Sequence, residues 1–173
     1  MKMKKSLGIG ILSMAAVCST QGQVGIMDRF NFSPTGAGYT PHELNFDIAG
    51  GYATRDKGGA NTDAFGMDLG VNYFITPNIG IGADSYFDAF ELPYQLNFSG
   101  IYRYPIEDTG AAPYGFAGFG RQWEHAAQWQ GHIGAGIEFR LNMHTGVFLD
   151  GRWVITDKTH DYGLWRLGFR LGF

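Results

Sequence analysis

The sequence predicts an all-β fold, an eight-stranded antiparallel up-and-down transmembrane β-barrel, and three observations carry that prediction. From Leu44 to Phe173 the chain divides into about eight alternating segments, in each of which one phase reads as free of charge while the other holds Arg, Asp, Glu, Asn and Gly. Successive side chains of a strand point to opposite faces, so each sheet face takes a single character. Each segment is about nine to eleven residues long, the length a tilted strand needs to cross the hydrocarbon of a bilayer. The chain also begins with an export-type segment and ends on an aromatic residue, Phe173. Together these turn the apolar face toward lipid rather than toward a soluble core.

The first strand is expected over about Leu44 to Tyr52, with Leu44, Phe46, Ile48 and Tyr52 outward and Glu43, Asn45 and Asp47 inward. Thr54 to Asp63, charged and Gly-rich, reads as a loop. The second strand sets Phe65, Met67, Leu69, Val71 and Tyr73 against Asp68 and Asn72, and Thr76-Pro77-Asn78 is a tight turn. The third sets Ile79, Ile81, Ala83 and Phe87 against Asp84, Tyr86 and Asp88; the fourth sets Tyr94, Leu96, Phe98 and Tyr102 against Gln95, Asn97 and Arg103. Pro105 to Pro113 is a further turn.

The fifth strand, Tyr114 to Arg121, is rich in small residues on both phases, so alternation says least about it. After a loop over Glu124 to Gln128, the sixth strand puts Trp129, Ile133, Ala135, Ile137, Phe139 and Leu141 opposite Gln130, His132, Glu138 and Arg140. The seventh opposes Val147, Leu149, Trp153 and Ile155 to Phe148, Asp150 and Arg152. The eighth opposes Trp165, Leu167, Phe169, Leu171 and Phe173 to Arg166 and Arg170. Closing eight antiparallel strands leaves no unpaired backbone edge in lipid. An even count puts both ends of the chain on one side, expected to be the periplasm. The loops at Thr54 to Asp63, Ala89 to Leu92, Glu124 to Gln128 and Thr156 to Tyr162 then face outward from the cell.

Met1 to Lys5 supplies three lysines, Ser6 to Val17 is a short apolar run, and Cys18-Ser19-Thr20-Gln21-Gly22 follows. This is the order of a secretory signal peptide, read as residues 1-22 with cleavage about 19-23. Residues 23-42, with Pro34, Gly36, Gly38 and Pro41, read as a periplasmic lead-in segment, and 43-173 as the barrel. Cleavage would remove the single cysteine, leaving no thiol or disulfide to hold the fold. It would also remove Lys2, Lys4 and Lys5, taking the formal charge from −3 to −6, which argues against nucleic acid as a partner. A hydrophobic fraction of 45% looks soluble, yet 16% aromatic residues and 27 glycines fit half-apolar strands with aromatic girdles.

Tyr73-Phe74-Ile75-Thr76-Pro77-Asn78-Ile79-Gly80-Ile81 resembles the second strand, turn and third strand of the OmpA-like and opacity-like outer-membrane barrels. Tyr102-Arg103-Tyr104-Pro105 with Pro113-Tyr114-Gly115-Phe116-Ala117-Gly118 is similar to that family's fourth and fifth strands. Gly134-Ala135-Gly136-Ile137-Glu138-Phe139-Arg140-Leu141 resembles its sixth, and Leu149-Asp150-Gly151-Arg152-Trp153 its seventh. The C-terminal pattern ending in Phe173 resembles the signal read by the outer-membrane assembly machinery. The resemblance implies residence in the outer membrane, contact with its lipid and lipopolysaccharide, and a monomer. It covers the barrel domain only, with no peptidoglycan-binding domain after Phe173, so a wall-tethering role is not implied.

The inward charges form the main candidate constellation: Glu43, Asp47, Asp68, Asp84, Asp88, Glu138 and Asp150 with Arg103, Arg121, Arg140, Arg152, Arg166 and Arg170. Closure would let Arg166 and Arg170 face Glu43 and Asp47. All the bases are Arg, whose planar fork bridges several acceptors at once. Eight strands leave an interior that side chains can fill, so the network is expected to plug the barrel; a narrow pore for small solutes is the alternative.

Some eight-stranded barrels modify lipid A with a Ser, a His and an acid near the outer leaflet. Here Ser85 is the only lipid-facing serine candidate, His125 and His160 lie in loops, and no motif matches. Neither catalysis nor a cofactor is expected. Glu124, His125, Asp157, His160 and Asp161 have no metal-site spacing and read as solvated loop polarity, so no metal is expected. Trp123, Trp129, Trp153, Tyr162 and Trp165 are expected in an outer aromatic girdle, and Tyr73, Tyr102, Tyr104, Tyr114 and Phe173 in an inner one. Short external loops argue against a large adhesive surface.

Overall fold

The computed structural model describes residues 38–57, 60–61, 64–88, 95–123, 127–157 and 161–173. The expected signal peptide with Cys18 and most of the lead-in lie outside these, as do Tyr94, Glu124, His125 and His160. Eight long strands follow in order: β1 Glu43–Lys57, β2 Ala64–Phe74, β3 Ile79–Asp88, β4 Gln95–Arg103, β5 Ala111–Gln122, β6 Gln128–Arg140, β7 Thr145–Thr156 and β8 Tyr162–Gly172. A two-residue strand, Ala60–Asn61, folds back on the end of β1. The first strand therefore runs beyond Tyr52 into the stretch expected to be loop, and β5 begins at Ala111, inside the stretch expected to be turn.

Each strand pairs antiparallel with the next, and β8 pairs with β1, closing the sheet. The seam is in register from Asn45 opposite Gly172 to Arg55 opposite Tyr162. It ends in a reciprocal backbone pair, Phe173 N–H to Leu44 O at 2.8 Å and Leu44 N–H to Phe173 O at 3.3 Å. Among the described residues, each of the eight strands thus pairs with a neighbour on both sides, the condition for sheet structure in hydrocarbon.

Short turns at 75–78, 104–110 and 141–144 lie at one end of the barrel, here the turn end; the other is the loop end. Thr76 Oγ1 accepts the Ile79 N–H at 2.9 Å, and Asn142 Oδ1 accepts the Thr145 N–H at 2.7 Å, fixing two of these turns. Asp108 and Gly110 take positive φ in the third.

Burial is inverted relative to a soluble barrel. Arg103 and Glu138 are 0% exposed, whereas Phe65 is 75% and Leu167 65% exposed. An apolar surface this continuous has no aqueous explanation and fits a bilayer. Trp123, Trp129, Trp153 and Trp165 are outward and exposed toward the loop end, and Tyr73, Tyr102, Tyr104 and Phe173 toward the turn end.

The fifth strand departs from expectation. Its phase is reversed, with Tyr114 and Phe116 buried inside and Phe119 and Arg121 outward. Arg121 is therefore not an interior charge, and its contact among the described residues is the Trp129 ring, 5.6 Å from the guanidinium carbon. Tyr114 and Tyr162 are not girdle residues but lie inside the barrel. With Gly and Ala on both phases of β5, only the need to fill the lumen decides its direction, and the two aromatics do so.

Candidate functional site: the barrel interior

Alternation delivers one inward side chain every second residue from eight strands, so the lumen fills in layers. At the turn end, Arg140 of β6 donates from Nε to Glu138 Oε1 at 2.6 Å and from Nη2 to Glu43 of β1. Arg103 of β4 donates to Pro77 O at 3.0 Å and reaches Glu43 at 3.4 Å and Glu138 at 3.6 Å. Tyr39, just before β1, covers this layer. Its ring lies 4.3 Å from the Arg103 guanidinium carbon and 4.6 Å from that of Arg140, and its hydroxyl donates to Gly110 O at 2.9 Å. Phe74 packs against Arg103 at 3.7 Å.

The central layers are held by three forked pairs. Arg170 donates through Nε and Nη2 to the two oxygens of Asp47 at 2.8 and 2.7 Å, and through Nη1 to Glu138 at 2.5 Å. Arg166 grips Asp150 the same way at 2.9 and 2.8 Å and donates to Asp68 at 2.8 Å. Arg152 spans the lumen from β7 to Asp84 on β3, with bonds of 2.9 and 2.8 Å. Neutral donors complete the carboxylates: Asn72 to Asp47 at 2.7 Å, Asn97 to Asp84 at 2.9 Å and Tyr114 to Asp150 at 2.7 Å. Phe148 lies 5.0 Å from the Arg170 guanidinium carbon and Phe116 lies 5.2 Å from that of Arg152, giving the guanidinium faces apolar partners.

Toward the loop end the chemistry changes to amides and apolar groups. Gln130 donates to Asn97 at 2.6 Å and Gln95 at 3.0 Å, and Tyr162 donates to Gln95 at 2.6 Å. Above them Ala53, Tyr86, Val154, Tyr162 and Leu164 form a buried apolar cluster. Between β4 and β6, Ser99 Oγ and His132 Nε2 are 2.8 Å apart. A cavity in the centre, bounded by Asp47, Asn72, Asp84, Ser99, Arg152 and Arg166, is about 20 Å³. That is room for about one water molecule.

Among the described residues this interior brings together Glu43, Asp47, Asp68, Asp84, Arg103, Glu138, Arg140, Asp150, Arg152, Arg166 and Arg170. Asp88 ends β3, and its side chain lies outside what is described. Arg170 meets Asp47 across the seam, but Arg166 does not meet Glu43: its register partner on β1 is Gly51, and it turns instead to Asp150 and Asp68. Alternation alone did not identify half-buried Tyr39 or buried Tyr114 and Tyr162 as interior groups, and their hydroxyls find partners there in Gly110 O, Asp150 and Gln95. Ser85 Oγ donates to Gln95 O at 2.9 Å. Asp161 accepts the Thr156 N–H at 3.1 Å.

No family model matches this sequence, and no curated relative does. Solved structures do match in fold. Neisserial surface protein A aligns at 13% identity and a TM-score of 0.61, over 75% of this chain and 97% of its own. Ail, the attachment invasion locus protein of Yersinia pestis, aligns at 16% and 0.60, over 78% and 100%. The N-terminal β-barrel domain of Pseudomonas aeruginosa OprF aligns at 17% and 0.57, over 77% and 98%. The chain has the fold of the eight-stranded outer-membrane β-barrels.

Proposed function

We propose that this protein is an integral outer-membrane barrel with a plugged polar interior, serving a structural or surface-contact role in the cell envelope without catalysis. The observation that supports this reading most strongly is the Arg–carboxylate network of the lumen, in which the forked Arg152–Asp84 pair and the Arg166–Asp68 bond span the interior beside a central cavity of about 20 Å³. A conducting path needs continuous water, and side chains that satisfy one another across the axis displace it.

In this reading residues 1-22 are a cleaved signal peptide, 23-42 lead into the barrel on the periplasmic side, and the turn end faces the periplasm. The chain is a monomer whose outward belt meets outer-membrane lipid and lipopolysaccharide. Phe173, exposed beside Phe46 with ring centroids 5.6 Å apart, is the assembly signal. Planar-bilayer recording of the purified protein tests the plug: no steady open channel is expected. A stable ion-selective conductance that Arg152→Leu alters while folding is retained contradicts it and favours a narrow pore. For the envelope role, a deletion strain scored for detergent sensitivity, adhesion and lipid A composition is expected to change in the first two and not in the third.

A further inference from the structure

The last inward layer at the turn end is covered by a residue that belongs to no strand. Glu43 opens β1, Arg103 closes β4 and Arg140 closes β6, so these groups stand at the mouth of the barrel, yet none is more than 5% exposed. Pairing satisfies their charges but does not by itself keep water off a strand end. Tyr39 supplies a cover: its ring lies over the Arg103 and Arg140 guanidinium groups together, and Phe74 packs against Arg103 as well.

Local sequence brings the ring there. Pro41 restricts Thr40 to extended backbone, and Pro41-His42 then forms a turn with His42 at φ 60°, a left-handed conformation uncommon for a residue other than glycine. The chain ahead of β1 thus crosses the mouth to the turn between β4 and β5, on the far side of the sheet order, where Tyr39 Oη donates to Gly110 O. Gly110 O also accepts the Arg140 N–H at 2.8 Å, so one carbonyl positions both the ring and the strand end beneath it. At its near end the segment is held by His42 Nδ1, 2.9 Å from Tyr73 Oη, and by the Thr40 N–H, which donates to Glu43 at 3.4 Å. Of residues 38–42 only Tyr39 is half-buried; Gly38, Thr40, Pro41 and His42 are exposed. The segment can therefore lift by withdrawing one ring and a few hydrogen bonds, with no strand pair broken.

We propose that the turn-end mouth is a binding site for one phenol ring, which the chain fills with its own Tyr39, making residues 38–42 a detachable strap that seals the Arg103–Arg140 layer from water. The chemistry of the slot selects the ligand: two guanidinium groups take the face of an aromatic ring, and Gly110 O takes a hydroxyl on its edge. The strap is distinct from the central plug. Arg152, Arg166 and Arg170 keep their carboxylate partners whether it is on or off, because none of those bonds involves residues 38–42.

The test is labelling of arginines with phenylglyoxal in the full chain folded in detergent micelles, each site followed by peptide mass mapping. In the parent, exposed Arg121 is expected to react and Arg103, Arg140 and Arg152 to be protected. Tyr39→Ala is expected to speed labelling of Arg103 and Arg140 about fivefold, the population change that loss of the ring contacts carries, and to leave Arg152 at the parent's rate. Adding p-cresol to this variant is expected to return both sites to near the parent's rate, whereas toluene, which has the ring without the hydroxyl, protects less. Unchanged labelling of Tyr39→Ala overturns the proposal, as does p-cresol that protects no better than toluene. Labelling that rises equally at Arg152 overturns it too, since Tyr39 would then hold the whole barrel together rather than cover one layer. If Tyr39→Ala fails to fold, Tyr39→Phe decides: it loses only the hydroxyl and should label Arg103 and Arg140 faster than the parent, and a parent-like rate overturns the proposal. Failure of the plugged-barrel reading is separately visible, as a steady conductance of the parent.

Discussion

The two halves of the lumen are filled by different chemistry. From the turn end to the centre, guanidinium groups of β4, β6, β7 and β8 clasp carboxylates of β1, β2, β3, β6 and β7, and most bonds are charge-assisted. Toward the loop end, amides, a tyrosine hydroxyl and the small apolar cluster take over. Neutral bonds contribute about 0.5–1.5 kcal/mol each, whereas a buried charge stripped of its partner costs several times more. The charged half should therefore be intolerant of single changes and the loop-end half forgiving.

The largest loss is expected for Arg166→Leu, which strands Asp150 and Asp68 together. Breaking a buried pair costs about 3–5 kcal/mol, and the unfolding midpoint in urea, followed by Trp fluorescence in micelles, should fall accordingly. Its neighbour Leu167, on the opposite face, separates lumen from lipid. Leu167→Arg should cost about 2–4 kcal/mol through lipid exposure of a charge near the midplane. If it were silent, inside and outside would be misassigned. Removing the turn-end cover with Tyr39→Ala should cost about 1 kcal/mol, the scale of its cation–π contacts. Tyr162→Phe, in the loop-end half, should cost about 0.5–1.5 kcal/mol and shift the midpoint least. A Tyr162→Phe loss matching that of Arg166→Leu would erase the contrast between the halves.

Seven strands were legible because each carries bulky apolar groups on one phase and charges or amides on the other; Leu167 and Arg166, one residue apart, cannot exchange faces without reversing both costs. The fifth was illegible for the converse reason. Between Tyr114 and Arg121 glycine and alanine occupy both phases, and two aromatics that look like girdle residues are needed inside. Partners across the seam followed from closure, as with Asp47 and Arg170. Partners across the lumen did not, because they depend on strand stagger, which no segment encodes by itself. So Arg152 finds Asp84 sixty-eight residues away, and Arg166, opposite Asp150 on the neighbouring β7, reaches past β1 to Asp68 rather than to Glu43. Tyr39 belongs to the same class, since nothing local in the lead-in specifies a ring over two guanidinium groups.

The central claim is that these pairs act across the lumen as mutual supports, and Arg152 with Asp84 tests it most directly because β7 and β3 share no backbone pairing. A double-mutant cycle on Arg152→Leu, Asp84→Leu and the combined variant, read from urea-unfolding free energies in micelles, measures the coupling. Each single change is expected to cost more than half of the double, with a coupling of about 1–3 kcal/mol. Additivity within about 0.3–0.5 kcal/mol would mean that the two groups do not support each other, and would contradict the account.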